Sequence, residues 1–147
     1  MRILAVGDIV GEGGLEKAKE LIPQIKKEEN IDFVIVNGEN AAGGMGITEK
    51  IFKQLLTVGT DVVTMGNHTW GKKDIFTFID NPRIIRPANY PKGVVGRGYG
   101  IYKCEYKGET KKIAVINLIG RTDMNVLSEN PFLRAKDIIK DLKEKCD

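Results

Sequence analysis

The sequence is short of the residues that most often build metal and redox centres: it has one histidine and two cysteines. Cys104 and Cys146 stand far apart and in no CxxC pattern, which argues against a thiolate centre and predicts reduced thiols. No apolar run approaches the about 18 residues that would span a membrane. The apolar start, MRILAVGDIVG, is broken by Asp8 and lacks the cleavage region of a signal peptide. A cytoplasmic protein without membrane attachment is therefore expected. A concentrated charge of one sign is also missing. The net charge is +3, and the Lys and Arg residues are scattered rather than gathered in a basic block, so no stable nucleic-acid binding is expected. There is no internal repeat, low-complexity tract or linker. At 147 residues the chain has the length of one domain, enough to bury a real core.

What is present is a regular alternation. Ile3 to Val6 is a short apolar run ending at Gly7-Asp8, as a buried parallel strand would. In LEKAKELIPQIKKEEN, Leu15, Ala18, Leu21, Ile22 and Ile25 make a helical stripe, with Pro23 expected to kink the helix or end its first part. FVIVN, Phe33 to Asn37, reads as a second strand. Thr48 is placed as N-cap of a helix that stops at Gly59, and DVVTM then makes a third strand. This β-α-β-α-β order predicts an α/β fold on a parallel sheet with right-handed crossovers. A further helix is expected over Lys73 to Ile79, then an extended RIIRPANYP. The segment Gly98 to Gly120 alternates, turns at Lys107 to Thr110 and alternates again, the pattern of a β-hairpin. Ala135, Ile138, Ile139, Leu142 and Cys146 share one helical face. That helix should feed another strand, because an unpaired sheet edge is usually avoided, so a longer natural polypeptide is expected.

Three strands end alike, in an apolar run, a glycine and then a ligand-type side chain: Gly7-Asp8, Gly38-Glu39-Asn40 and Gly66-Asn67-His68. Ligands of open parallel sheets bind outside the carboxyl ends of the strands. With strands about 4.8 Å apart, three such ends fit within about 10 Å. Each motif alone has a plain structural role: Asp8 as a helix cap, Glu39-Asn40 as solvated loop, His68 as a polar loop residue. Together they place two carboxylates in one cleft, which repel unless one is protonated or a cation sits between them. Their oxygens suit Mg²⁺ or Mn²⁺, and iron or zinc tolerates them. Such a site, with Glu39 as bridge, fits a metal-dependent hydrolase of phosphoesters. GDIVGEGG lacks the GK[ST] of a P-loop and the full GxGxxG spacing, which disfavours nucleotide binding through that loop alone.

Taken together, GDIVG, NGENAAGGMGIT, MGNHTW, RPANYP and NLIGR resemble the YmdB-type calcineurin-like metallophosphoesterases, in order and over essentially the whole chain. The resemblance implies a four-layer α-β-β-α sandwich, of which residues 1–147 would form about the first half as a single domain truncated at its C-terminal side. It also implies a dinuclear centre of divalent metal, iron or manganese above magnesium or zinc, and phosphodiesterase activity on small substrates such as 2′,3′-cyclic nucleotides. On that pattern Asp8 and Asn40 hold one metal, Asn67 the other, and Glu39 bridges both. His68 is then no ligand but a proton donor beside the scissile phosphate. The family's three downstream histidine ligands, in DFHAE-like and THTH-like motifs, have no counterpart here, so partial metal occupancy and little turnover are expected. The rival expectation is a non-catalytic remnant that binds a nucleotide or a protein partner in regulation. Association into a homo-oligomer through an unpaired apolar face is expected in either case.

Overall fold

A computed structural model describes residues 1–147. In chain order the elements are β1 (Ile3–Val6), α1 (Gly11–Glu28), β2 (Phe33–Asn37), α2 (Glu49–Thr57), β3 (Val62–Thr64), a 3-10 turn (Lys73–Thr77), β4 (Ile84–Ile85), β5 (Tyr99–Tyr106), β6 (Glu109–Ile116) and α3 (Pro131–Leu142). Strands β1 to β4 form one parallel sheet in the order β1-β2-β3-β4, and β5 and β6 pair antiparallel in a second. The α/β reading, the parallel core and the hairpin are as the alternation predicts.

The period-2 pattern of the strands sorts their side chains between two cores. Val34 and Val36 of β2, Val63 of β3 and Ile84 of β4 join Leu15, Ala18 and Ile22 of α1 and Phe52 and Leu55 of α2. Their neighbours Phe33, Val62 and Ile85 point the other way, onto Cys104 and Val115 of the hairpin. On the hairpin's outer side Ile138 and Leu142 of α3 pack with Ala88, Tyr99, Ala114 and Ile116. Helices, sheet, hairpin and helix therefore make four layers. All four are already present in this chain, and the second sheet is the thin one, with two strands.

Three local expectations are refined. Helix α1 starts at Gly11, earlier than its apolar stripe, and runs unbroken through Pro23. Pro23 is exposed, so the carbonyl that loses its partner there faces water rather than the core. The helix expected over Lys73 to Ile79 is instead a 3-10 turn ending at Thr77. Asp74 accepts from the Glu49 amide at 3.1 Å, which ties this turn to the start of α2, while Ile75, Phe78 and Ile79 are drawn into the core. The extended segment that follows contains a fourth parallel strand, β4, only two residues long and ended by Arg86-Pro87. By contrast Thr48 caps α2 as expected, accepting from the Ile51 amide at 3.3 Å. The hairpin turn is Lys107-Gly108, both at positive φ (53° and 81°), the tight two-residue geometry that twists with the strands.

Cys104 tests whether the hairpin is seated. It is 6 % exposed between the sheets, and burial pushes its thiol up, with Asp32, Asp61 and Glu105 adding to the effect. Thiolates are the reacting form, so iodoacetamide is expected to label half-buried Cys146 well before Cys104, read by peptide mass spectrometry. Equal labelling rates would show that the hairpin does not cover the sheet.

Candidate functional site

The carboxyl ends of β1, β2 and β3 are level because the register makes them so: Val6 pairs with Val36, and Asn37 with Thr64. Backbone bonds continue the ladder beyond the strands, from the Ile9 amide to the Asn37 carbonyl (3.1 Å), Gly38 to Thr64 (3.1 Å) and Met65 to Ile85 (2.9 Å). The loops that carry the polar residues are thus fixed side by side. The start of α1 is pinned to the same place, because the Gly11 amide donates to the Asn40 carbonyl at 3.0 Å. No side chain caps α1, so Asp8 is not used as its cap.

Asp8, Asn40 and His68 form a chain of contacts. The Asn40 Nδ2 donates to Asp8 Oδ2 at 2.7 Å, and His68 Nδ1 lies 2.5 Å from Asn40 Oδ1. The Asn40 amide group thus faces Asp8 and its carbonyl oxygen, which can only accept, faces His68. His68 Nδ1 therefore carries hydrogen, and Nε2 is the ring atom left for other partners. Glu39 joins through its Oε2, which accepts from the His68 backbone amide at 3.2 Å. The Glu39 backbone amide itself donates to Asn37 Oδ1 at 3.0 Å, a local turn that starts the loop.

The Glu39 carboxylate lies directly over Gly66, where a Cβ would overlap both of its oxygens. Gly66 is further held by its carbonyl, which accepts from Thr69 Oγ1 at 2.6 Å and from the Tyr90 hydroxyl at 2.9 Å. One residue earlier, the Met65 carbonyl accepts from Asn117 Nδ2 at 2.5 Å; the same group also donates to the Ile85 carbonyl at 3.0 Å. Asn117 follows β6, so the second sheet braces the third strand's end. Asn67 stands apart from this network. It lines a neighbouring cavity of about 190 Å³ with Trp70, Tyr90, Pro91, Val94, Val126 and Leu127.

Neither Asp8 nor Glu39 pairs with a lysine or arginine. Nowhere do three side chains drawn from His, Cys, Asp and Glu converge as an ion cage. At the strand ends the strong donors come as two carboxylates with carboxamides between and beside them. This oxygen set, and the glycine cradle under Glu39, fit a hard divalent cation with open positions left over.

Tyr90 and Asn117 are site-bracing residues that strand-end reasoning misses. Tyr90 sits in a segment read only as extended, and nothing in its spacing marks it. Burial pushes its hydroxyl up, the Thr69 hydrogen bond opposes this, and the charge of Glu39 raises it further. Tyr90 accordingly stays a neutral donor to Gly66.

The profile of the YmdB-like protein family matches residues 4–147. A 2′,3′-cyclic-nucleotide 2′-phosphodiesterase of Bacillus subtilis (strain 168) is 49% identical over 140 residues, which cover 95% of this chain and 51% of that protein. Among solved structures, a hypothetical protein from Thermus thermophilus superposes with a TM-score of 0.84 at 32% identity, covering 95% of this chain and 53% of that one. A novel phosphatase from Mycoplasma pneumoniae superposes equally, with a TM-score of 0.84 at 32% identity over 98% of this chain and 51% of that one. The chain spans about half the length of the curated relatives it matches.

Proposed function

This chain belongs to the YmdB-like protein family, and from that premise we propose that its strand-end cluster serves a metal-dependent phosphodiesterase of small phosphoesters. The observation that carries the reading is the pair of carboxylates, Asp8 and Glu39, held at the carboxyl end of the sheet with no lysine or arginine to balance them. The substrate class, 2′,3′-cyclic nucleotides, comes from the name of the Bacillus subtilis relative.

Asp8, Glu39, Asn40 and Asn67 are the residues that would hold two divalent ions, iron or manganese before magnesium or zinc. Such ions, when bound, supply Lewis-acid polarisation of a phosphoryl oxygen and a nucleophilic water at neutral pH. Asn40 can keep its bond to His68 and still present a lone pair, since a carboxamide oxygen has two. His68 has the role of proton donor. With Nδ1 committed to Asn40, its Nε2–H is the bond that breaks as the leaving oxygen takes the proton, and the imidazolium becomes neutral imidazole. The relay through Asn40 to Asp8 sets the orientation of the ring while this happens.

The test joins Mn²⁺ binding with hydrolysis of bis(p-nitrophenyl) phosphate and 2′,3′-cyclic AMP. Asp8→Ala is expected to lower Mn²⁺ affinity at least about tenfold and turnover with it. His68→Ala is expected to keep the metal and lose turnover, by about 10²-fold or down to background. Tight nucleotide binding with neither metal nor turnover would sink the reading for this chain and favour a non-catalytic binding role.

A further inference from the structure

Three arginines meet around one cavity, and none of them has a carboxylate partner. The cavity, of about 370 Å³, is lined by Arg86, Arg97 and Arg134 together with Ala88, Gly96 and Tyr99. The three come from separate parts of the chain: just past β4, the loop before β5, and the first turn of α3. All the ion pairs of the protein lie elsewhere.

Hydrogen bonds to carbonyls explain part of this arrangement. Arg86 Nε donates to the Val95 carbonyl at 3.0 Å, Nη1 to Pro87 at 2.7 Å and Nη2 to Val94 at 2.9 Å. Arg134 Nε donates to the Ala88 carbonyl at 3.1 Å. Three bonds fix the guanidinium plane of Arg86 and one anchors Arg134, and the charge of both is left unbalanced. Burial, and after it the nearby charge of Arg134, lower the affinity of the Arg86 guanidinium for its proton. Of five N–H donors on each guanidinium, Arg86 retains two, Arg134 four, and Arg97 makes no side-chain bond at all. Planar guanidinium forks are the groups that recognise tetrahedral phosphoryl oxygens in pairs, and that of Arg86 is already held in place. The volume lies in the range of small-ligand pockets.

We propose that this three-arginine cavity is a binding site for a phosphoryl dianion, free phosphate or the phosphate group of a small organic phosphate. It is distinct from the Asp8–Glu39–His68 cluster, with which it shares no lining residue, and it does not depend on the phosphodiesterase reading.

The test is calorimetric titration of this chain in EDTA, which removes metal-dependent anion binding from the measurement. Inorganic phosphate and adenosine 5′-monophosphate are the two probes, with chloride at matched ionic strength as the control for screening. Both probes are expected to bind. Tighter binding of the nucleotide identifies an organic phosphate as the ligand, and equal binding identifies free phosphate. Arg97→Gln and Arg134→Gln should each weaken the phosphate at least about tenfold, roughly 1.4 kcal/mol. The Arg97 side chain is exposed and makes no hydrogen bond, and the bond from the Arg86 amide to the Arg97 carbonyl is kept in the variant, so its replacement reads binding without a folding penalty. Asp8→Ala should leave the affinity unchanged. Binding that survives both arginine variants, or that chloride matches, overturns the site. Loss on Asp8→Ala would assign the anion to the strand-end cluster instead.

Discussion

Gly66→Ala is expected to leave the chain folded while lowering Mn²⁺ affinity by about 10- to 100-fold, and with it the metal-dependent turnover. The new methyl group would occupy the space in which both Glu39 carboxylate oxygens now sit. A carboxylate is the far end of a flexible side chain, so it swings aside at small cost, and the backbone has no reason to move. Gly66 does not need left-handed geometry, since it is absent from the positive-φ positions, so alanine adds no backbone strain there. The fold is therefore preserved and the bridge between the second and third strand ends is lost, including the bond from the His68 amide to Glu39. Isothermal titration with Mn²⁺, paired with thermal melting, separates the two effects. A melting temperature unchanged with unchanged Mn²⁺ affinity would show that Glu39 takes no part in holding the ion. Glu39→Gln gives the complementary result: it keeps the shape and removes the charge, and the affinity should fall without any steric change.

The same glycine shows what a sequence discloses about such a site. Strand ends, glycines and polar residues are local features, and the alternation of apolar runs alone places Asp8, Glu39, Asn40, Asn67 and His68 at one end of the sheet, although Asn67 lies outside the hydrogen-bonded network and lines the neighbouring cavity. Which of them touch depends on register, and Val6 opposite Val36 with Asn37 opposite Thr64 is a property of the pairing rather than of any one segment. The bracing residues are harder to read. Tyr90 and Asn117 lie 24 and 52 positions from the carbonyls they hold, Gly66 and Met65, and no period connects them. Strand β4 is obscured for a related reason: two residues carry no periodicity, and only pairing with Val63 and Thr64 makes them a strand. The 3-10 turn at Lys73–Thr77 shows the opposite error. Its apolar spacing at Ile75, Phe78 and Ile79 is helical, but the anchor from Asp74 to α2 and the short reach to β4 leave room for only one tight turn.

The second large effect is on stability, at Asn89. This side chain is fully buried and satisfies three backbone groups across the molecule. Its Nδ2 donates to the Ile119 carbonyl at 2.9 Å and the Glu129 carbonyl at 3.0 Å, and its Oδ1 accepts from the Ile119 amide at 2.9 Å. The Asn89 carbonyl also accepts from the Glu129 amide at 2.7 Å. One residue thereby ties both ends of the 119–129 segment to the stretch after β4. Asn89→Ala removes the side-chain bonds and strands the Ile119 amide in a dry place, at about 1–3 kcal/mol for an unsatisfied buried group. With the cavity left behind, a total loss of about 2–4 kcal/mol is expected, and for a chain of this size a fall of about 5–15 °C in melting temperature. Asn89→Asp should be worse, because it keeps the acceptor for the Ile119 amide but sets a carboxylate against two carbonyl oxygens. Hydrogen exchange locates the damage: the Ile119 and Glu129 amides should lose protection while those of β2 and β3 keep theirs. That segment carries Val126 and Leu127, which close the cavity beside Asn67, so its release opens one wall of the candidate site without touching Asp8 or Glu39. Mn²⁺ affinity should then change less than in Gly66→Ala. A loss below about 0.5 kcal/mol would mean that the 119–129 segment is held by something other than Asn89.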